Sequence, residues 1–141
     1  MKITLICIGK IKEPYLREGI YEFTKRLTKY CSFEILEIKD STPAKESQQI
    51  LTKMEDAYVI VLDRAGKSFS SEQFASFLQK SEKPLVFVLG GPEGLSPAVK
   101  QRAHLQLSLS SLTMLHEHCR FFFVEQLYRA YTILNGEKYH K

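Results

Sequence analysis

The sequence predicts an α/β fold with a mostly parallel sheet and helices on both of its faces. Short apolar segments alternate along the chain with amphipathic segments of helical length, which is the order expected of repeated βα units. The segment 57–62 is continuously apolar, as a strand covered on both faces of a parallel sheet should be. The 141 residues contain no repeat, linker or low-complexity stretch. We therefore expect one domain over residues 1–141.

Periodicity and helix caps define the elements of the first half. Between residues 13 and 30, Leu16, Ile20 and Phe23 fall on one helical face and charged residues on the others. Thr42 is a suitable cap for the next helix, and Pro43 suits its first turn. The predicted elements are a strand at 2–8, a helix at 13–30, a strand at 33–39, a helix from 43 to about 55, a strand at 57–62 and a turn at 63–67.

The second half continues the same alternation. Ser70 or Ser71 is expected to cap one helix, and Ser96-Pro97 to begin another. Asn135-Gly136 should end the last helix, because glycine readily adopts the left-handed conformation found after helices. The predicted elements are a helix to about residue 80, a strand at 84–89, a glycine turn at 90–95, a short helix to about 103, a strand at 104–109 and a long helix at 116–134.

Three loops follow the carboxyl ends of predicted strands, where parallel sheets bind their ligands. These loops begin after Leu62, Leu89 and Leu109, so we expect three strand ends to converge on one pocket. The turn Gly90–Gly94 contains three glycines, which let a ligand approach the backbone closely, although a plain strand-to-helix turn also uses glycine. The segment 108–113, rich in Ser and Thr, offers hydrogen bonds beside it.

Two familiar motifs are incomplete. The run Gly66-Lys67-Ser68 is not a phosphate-binding P-loop, because Val61 stands where that motif requires glycine. The run beginning at His116 is not a zinc motif, because the second histidine would have to occupy position 120, which is Arg120. No serine lies in a G-x-S-x-G nucleophile motif either. We expect neither a metal site nor covalent catalysis.

Composition adds weaker constraints. The net charge of +4 suits a partner such as nucleic acid, but it also suits a slightly basic solvated surface. The cysteines, Cys7, Cys31 and Cys119, are odd in number and far apart, which indicates free thiols. Nothing in the sequence resembles a signal peptide, and no apolar run approaches the ~18 residues of a membrane span. We expect a cytoplasmic protein without a membrane partner.

Several segments along the whole chain form one combined pattern. They are Leu62-Asp63 with Gly66-Lys67, Phe87 to Leu95, Leu107 to Arg120, Glu125 to Ala130, and Tyr139-His140-Lys141, together with the opening Met1-Lys2-Ile3, Gly9-Lys10 and Lys12. Taken together, these segments resemble the ribosomal RNA large-subunit methyltransferase H family of the SPOUT superfamily, and the resemblance runs from end to end. The chain departs from the family in two small respects: Leu115 stands where the family usually has proline, and the segment around 40–50 is short.

The resemblance implies a SPOUT-type α/β knot, in which the C-terminal part forms a deep trefoil knot, and a homodimer. Periodicity alone would not suggest a knot, because knots are rare in proteins. The implied activity is transfer of a methyl group from S-adenosylmethionine to N3 of a pseudouridine in the helix 69 loop of 23S rRNA. The implied substrate is the assembled 70S ribosome, and no metal is needed. The competing function is a ribosome-binding or assembly factor that keeps the fold without the chemistry.

The resemblance also implies site residues. The catalytic candidates are His140 as base or proton relay, with Arg129 and Tyr139 placing the target base or stabilising charge. In a dimer, the tail of one chain is a candidate to act on the pocket of its partner. There are structural alternatives: the tail can be a disordered terminus, and Arg129 can pair with an acid at the dimer interface. Arg120 can contact RNA phosphate or cap a loop, and Glu125 is expected to be structural. The implied cofactor contacts are Leu62, Gly90, Leu109, Ser110, Ser111, Leu112, Thr113 and Met114.

Overall fold

The computed structural model describes residues 1–141 and contains five strands and five helices in strict alternation. None of the helices combines the length and apolar character that crossing a membrane requires. The elements are β1 (Lys2–Ile8), α1 (Pro14–Leu27), β2 (Ser32–Ile38), α2 (Pro43–Lys53), β3 (Tyr58–Ser68), α3 (Ser71–Lys80), β4 (Leu85–Leu89), α4 (Pro97–Arg102), β5 (Leu105–Ser108) and α5 (His116–Leu134).

The five strands form one sheet in the order β2-β1-β4-β3-β5, and every neighbouring pair is parallel. The predicted parallel sheet is confirmed. From β1 the chain moves to one edge of the sheet, and from β4 it moves to the other edge. The point where these directions diverge lies between β1 and β4, and ligands bind at such switch points in open α/β sheets. The trefoil knot stays a prediction.

Helices bury both faces of the sheet, as predicted. On one face a core of 22 buried residues joins the sheet to α1, α3 and α5. On the other face a smaller core of 11 buried residues joins it to α2 and α4 through Ile50 and Val99. Cys7 lies within the larger core, and burial raises the pKa of its thiol to about 12. This cysteine is therefore protonated and unreactive at neutral pH.

The predicted helix caps are present. The side chain of Thr42 accepts a hydrogen bond from the backbone of α2, and Ser96 does the same for α4. Ser70, rather than Ser71, caps α3, and it forms a reciprocal capping box with Gln73. Gly136 follows α5 with a positive φ of 65°. Because a cap needs only residues three or four positions apart, these features were predictable locally.

The predicted turn at 63–67 is wrong. Strand β3 continues to Ser68, and Leu62 and Lys67 both pair with Leu107 of β5, with a register shift between them. A β-carbon at Gly66 would lie 2.6 Å from the backbone carbon of Gln106, so only glycine lets these two strands approach here. Polar residues with a glycine are typical of both turns and bulges. Here the segment forms a bulge because it pairs with β5.

Arg120 resolves one of the open alternatives, because its side chain is only 2% exposed. Its guanidinium donates hydrogen bonds to the carboxylate of Glu37 at 2.6 Å and to the carbonyl of Gly9 at 2.9 Å. Arg120 therefore ties α5 to the end of β1 and the loop after it. The alternative in which Arg120 contacts RNA phosphate is wrong, because its guanidinium is buried and donates to acceptors of the protein.

Replacing Arg120 with methionine should lower the free energy of unfolding by about 3 kcal/mol. The change removes charged hydrogen bonds and leaves a carbonyl of the β1 loop without its donor. Urea denaturation followed by circular dichroism measures the loss. The control is Arg102→Met, an exposed arginine of α4, which should change stability by less than about 0.5 kcal/mol. A loss at position 120 no larger than the control would contradict this role.

Candidate active site

A cavity of about 410 Å³ lies where the carboxyl ends of three strands meet, and we call it the large lobe. Leu62 of β3, Leu89 of β4 and Leu109 after β5 all line it. The predicted convergence of three strand ends is therefore confirmed. The volume of the large lobe falls within the range of roughly 300–1,000 Å³ that small-molecule sites occupy.

A second cavity of about 200 Å³, the small lobe, adjoins the first. The two share lining residues, among them Leu62, Leu89 and Met114, so they are parts of one cleft. Six of the eight expected cofactor residues line the large lobe: Leu62, Leu109, Ser110, Leu112, Thr113 and Met114. Gly90 lines the small lobe, whereas Ser111 is exposed and lines neither. Their contacts with a cofactor stay a prediction.

The glycine turn after β4 forms one wall of both lobes. Gly91 and Gly94 form an antiparallel bridge, and Gly94 has a positive φ of 77°. A β-carbon at Gly90 would lie 2.9 Å from the backbone of Gly94 and from Leu95. The turn's own packing therefore requires glycine at positions 90 and 94. The same absence of side chains leaves the backbone of the turn facing the cleft.

The loop between β5 and α5 forms the opposite wall, and its hydroxyl groups shape the loop itself. Ser108 donates to the carbonyl of Ser110, whose side chain accepts from the backbone of Leu112. Arg64 reaches across from β3 and donates to the hydroxyl of Thr113 at 2.8 Å. Leu115 keeps a φ of −61°, the angle that proline would impose. The departure from the family's usual proline therefore leaves the backbone direction unchanged.

A charged pair stands on the wall of the small lobe, and the sequence analysis did not single it out. Lys100 of α4 lies 3.1 Å from the carboxylate of Asp63. The other oxygen of Asp63 accepts a hydrogen bond from the backbone of Ala65 at 3.1 Å. That backbone hydrogen bond, followed by Lys100, lowers the pKa of Asp63. The signal available in the sequence was a carboxylate directly after the apolar run 57–62.

The first turn of α5 contacts α1 and the loop that precedes it. His118 is hydrogen-bonded to the hydroxyl of Tyr15 at 3.2 Å, and Glu117 accepts from the backbone of Lys12 at 2.8 Å. This backbone donor also lowers the pKa of Glu117. His116 lines the small lobe. The segment that resembles a metal motif therefore connects α5 to the start of the chain.

The C-terminal tail folds back on α5, so the alternative of a disordered end does not hold for its aromatic residue. The hydroxyl of Tyr139 donates to Glu125 at 2.7 Å, and Arg129 donates to the same oxygen at 2.8 Å. The ring of Tyr139 packs edge-on against Tyr128, with centroids 4.8 Å apart. Burial, followed by the hydrogen bond to Glu125, raises the pKa of Tyr139 to about 12. The expected structural role of Glu125 agrees with these contacts.

His140 uses both ring nitrogens. Arg129 lies 3.1 Å from its Nδ1, and Glu72 of α3 lies 2.7 Å from its Nε2. A guanidinium only donates hydrogen bonds, so Nδ1 is the acceptor and Nε2–H donates to Glu72. Arg129 does pair with an acid, as the structural alternative supposed, but the acid is Glu125 of its own helix.

The tail and the cleft lie apart within one chain. No residue of α5 beyond Cys119 lines either lobe, and neither does any residue of the tail. Along α5, Arg129 is ten residues further on than Cys119, or about 15 Å at the rise of an α-helix. The structure therefore does not bring the expected catalytic residues to the expected cofactor residues of the same chain.

A parallel sheet that ends in a cleft with a glycine turn defines an α/β protein with a small-molecule site at the carboxyl ends of its strands. A family model described as "Predicted SPOUT methyltransferase" matches residues 1–140, and the chain belongs to this family. Curated relatives from Streptococcus pneumoniae strains CGSP14 and TIGR4, both named Ribosomal RNA large subunit methyltransferase H, are 42% identical over 159 aligned positions. The alignments cover all of this chain and all of each relative.

Solved structures of low sequence identity share the fold. A probable methylase family protein from Haemophilus influenzae Rd KW20 superposes with a TM-score of 0.63 at 11% identity, covering 99% of this chain and 70% of that one. The putative methyltransferase Lpg2936 from Legionella pneumophila, solved with bound SAM, superposes with a TM-score of 0.53 at 12% identity, covering 93% of this chain and 66% of that one.

Replacing Glu125 with glutamine should release the tail from α5. The carboxylate oxygen accepts from both Arg129 and Tyr139, and a neutral amide holds charged and phenolic donors less strongly by about 1.5 kcal/mol or more. We expect carboxypeptidase to remove the last residues at least roughly tenfold faster. The control, Glu72→Gln, changes a mostly exposed carboxylate and should have a smaller effect. An unchanged rate in Glu125→Gln would show that other contacts hold the tail.

Proposed function

We propose that this chain is an S-adenosylmethionine-dependent ribosomal RNA methyltransferase acting over one domain, residues 1–141. Its proposed product is N3-methylpseudouridine in the helix 69 loop of 23S rRNA, formed on the assembled 70S ribosome. The observation that carries the proposal is the cleft at three converging strand ends, lined by six of the eight residues expected to contact the cofactor. The full-length relatives named as ribosomal RNA methyltransferases support the choice of substrate.

The cleft has the chemistry that a nucleoside cofactor requires. Leu62, Leu109 and Leu112 give the large lobe an apolar wall for the adenine ring. The glycine turn and the 109–114 loop bring backbone donors and acceptors to the ribose. S-adenosylmethionine supplies a methyl group already activated by its sulfonium. The protein therefore has to orient the reactants and manage one proton, and orientation alone contributes several kcal/mol.

The proton to be removed is the imide N3–H of the pseudouridine, and the tail has groups for this step. Glu72 accepts from Nε2–H of His140 and so holds the lone pair on Nδ1. Arg129 occupies that lone pair at 3.1 Å. When Arg129 turns to the developing negative charge of the substrate, Nδ1 becomes free to take the proton. Tyr139, with its raised pKa, remains a neutral hydrogen-bond donor.

The distance between tail and cleft favours a composite site in a homodimer. The tail of one protomer would act at the cleft of its partner, since the two lie apart within one chain. Exposed apolar side chains support this arrangement. They are Leu112 and Leu115 of the loop before α5, which are 75% and 71% exposed, and Phe122 of α5. A second copy of the chain would cover these side chains.

The test of function uses tritiated S-adenosylmethionine and 70S ribosomes that lack the modification. Label is expected on the helix 69 pseudouridine, located by nuclease digestion and mass spectrometry. Cofactor binding without label would mean that the fold is assigned correctly and the substrate is not. The absence of both label and binding would favour a ribosome-assembly factor without chemistry. Fully modified ribosomes serve as the control for non-specific labelling.

Removing residues 139–141 should reduce methyl transfer by about a thousandfold or more, because the proton acceptor and its neighbour are lost. Binding of S-adenosylmethionine should remain within about threefold of that of the full chain, since no tail residue lines the cleft. Single-turnover kinetics and calorimetry measure the two quantities. Full activity of the shortened chain would exclude a catalytic tail.

Mixed dimers distinguish the two arrangements of the tail. One protomer lacks residues 139–141, and the other carries Leu109→Arg to block the large lobe. If the tail acts on the partner's cleft, the mixed dimer contains one complete site and recovers about half of the activity of the wild-type dimer. If it acts on its own cleft, neither site is complete and activity stays at the level of the separate variants. Circular dichroism checks that Leu109→Arg is folded.

A further inference from the structure

We propose that Asp63 and Lys100 form the subsite for the amino-acid end of S-adenosylmethionine. Asp63 would bind the α-ammonium group and Lys100 the α-carboxylate. The inference rests on the proposed function, because it assigns one end of the proposed cofactor to the small lobe. Neither residue is among the cofactor contacts that the sequence suggested.

The position of the pair separates two parts of the ligand. Asp63 lines both lobes, whereas Lys100 lines only the small one. The leucines at 109 and 112 line only the large lobe, which suits the adenosyl group. Leu62 and Met114 line both lobes and mark the junction where the sulfonium would lie. The amino-acid end then extends into the small lobe and reaches the charged pair.

The carboxylate of Asp63 is held in place before any ligand arrives. The backbone N–H of Ala65 donates to one oxygen at 3.1 Å, and Lys100 lies 3.1 Å from the other. Its lowered pKa keeps the group charged at neutral pH. Lys100 is a flexible side chain that is partly exposed, so it can move aside while its partner stays fixed.

The ion pair of Asp63 and Lys100 contributes little to the stability of the fold. Its two charges therefore suit a role in binding a ligand. A partly exposed ion pair of this kind contributes about 0–1 kcal/mol to stability. An α-amino acid presents one positive and one negative group on the same carbon atom. Placed beside the pair, it gives Asp63 and Lys100 each an opposite charge, and no charge in the cleft is left unpaired. A simple anion or cation would satisfy only one of the two side chains.

The other cation on this wall is already engaged. Arg64 donates to the hydroxyl of Thr113 at 2.8 Å and so faces the loop of the large lobe. Glu93 lines only the large lobe, which leaves Asp63 as the carboxylate of the small one. The geometry thus assigns the carboxylate of the ligand to Lys100 and its ammonium group to Asp63.

Calorimetry with three ligands tests the assignment on the full-length chain. S-adenosylmethionine has both charged groups, decarboxylated S-adenosylmethionine has only the ammonium group, and 5′-methylthioadenosine has neither. The wild-type chain should bind S-adenosylmethionine at least roughly tenfold more tightly than the decarboxylated ligand. Lys100→Met should lose that tenfold preference while binding the decarboxylated ligand within about threefold of the wild type.

Two further variants make the result specific. Asp63→Asn should weaken the binding of both ligands that carry the ammonium group and leave the affinity for 5′-methylthioadenosine unchanged. Lys83→Met removes the matched lysine of a surface pair with Asp56, 3.4 Å apart and outside the cleft, and should change no affinity. If Lys100→Met weakens the binding of all three ligands equally, or weakens none, the assignment of the subsite is wrong. If the wild-type chain binds none of the three, the proposed function fails as well.

Discussion

The candidate site depends on the parallel pairing of β3 with β4 on one side and β5 on the other. This pairing brings three carboxyl ends to one edge of the sheet, where the residues that follow them, together with Lys100 of α4 and the start of α5, line the cleft. The close approach at Gly66 lets β3 continue past its bulge alongside β5. Without that continuation, Asp63 and Arg64 would lie on a free loop. The bulge instead fixes both residues at the wall of the cleft.

Helix α5 connects the two halves of the proposed chemistry. Its first turns hold the start of the chain through Arg120 and Glu117, and they reach the cleft at Cys119. Its later turns hold the tail through Glu125 and Arg129. One rigid helix therefore keeps the cofactor cleft and the tail at a fixed separation. This separation within a single chain is the physical reason for proposing a site built from two copies.

The charged side chains around the site have distinct roles according to their surroundings. Arg120 is buried and donates to acceptors of the protein, so it belongs to the fold. Glu125 binds two donors at once and holds the tail against α5. Asp63 and Lys100 pair with one another on the wall of a cavity, where we propose that they bind a ligand. Burial and the number of partners, more than residue type, separate these roles.

The sequence alone was sufficient for the features that depend on near neighbours along the chain. Apolar periodicity gave the order of strands and helices, and the caps at Thr42, Ser70 and Ser96 needed only the next few residues. The convergence of three strand ends was also predictable, because parallel sheets place all carboxyl ends at one edge. The resemblance, rather than periodicity, supplied the expected cofactor and tail residues.

Only the tertiary structure decided which distant residues meet. It made a bulge of the segment predicted as a turn, since the backbone of β5 lies against Gly66. It buried Arg120 against Glu37, joined Asp63 to Lys100, and placed His140 between Arg129 and Glu72. Apart from the contact of His140 with Arg129, 11 positions earlier, each of these contacts joins elements far apart in the chain. Local preferences carry no information about such pairs, because the packing of helices on the sheet sets their distances.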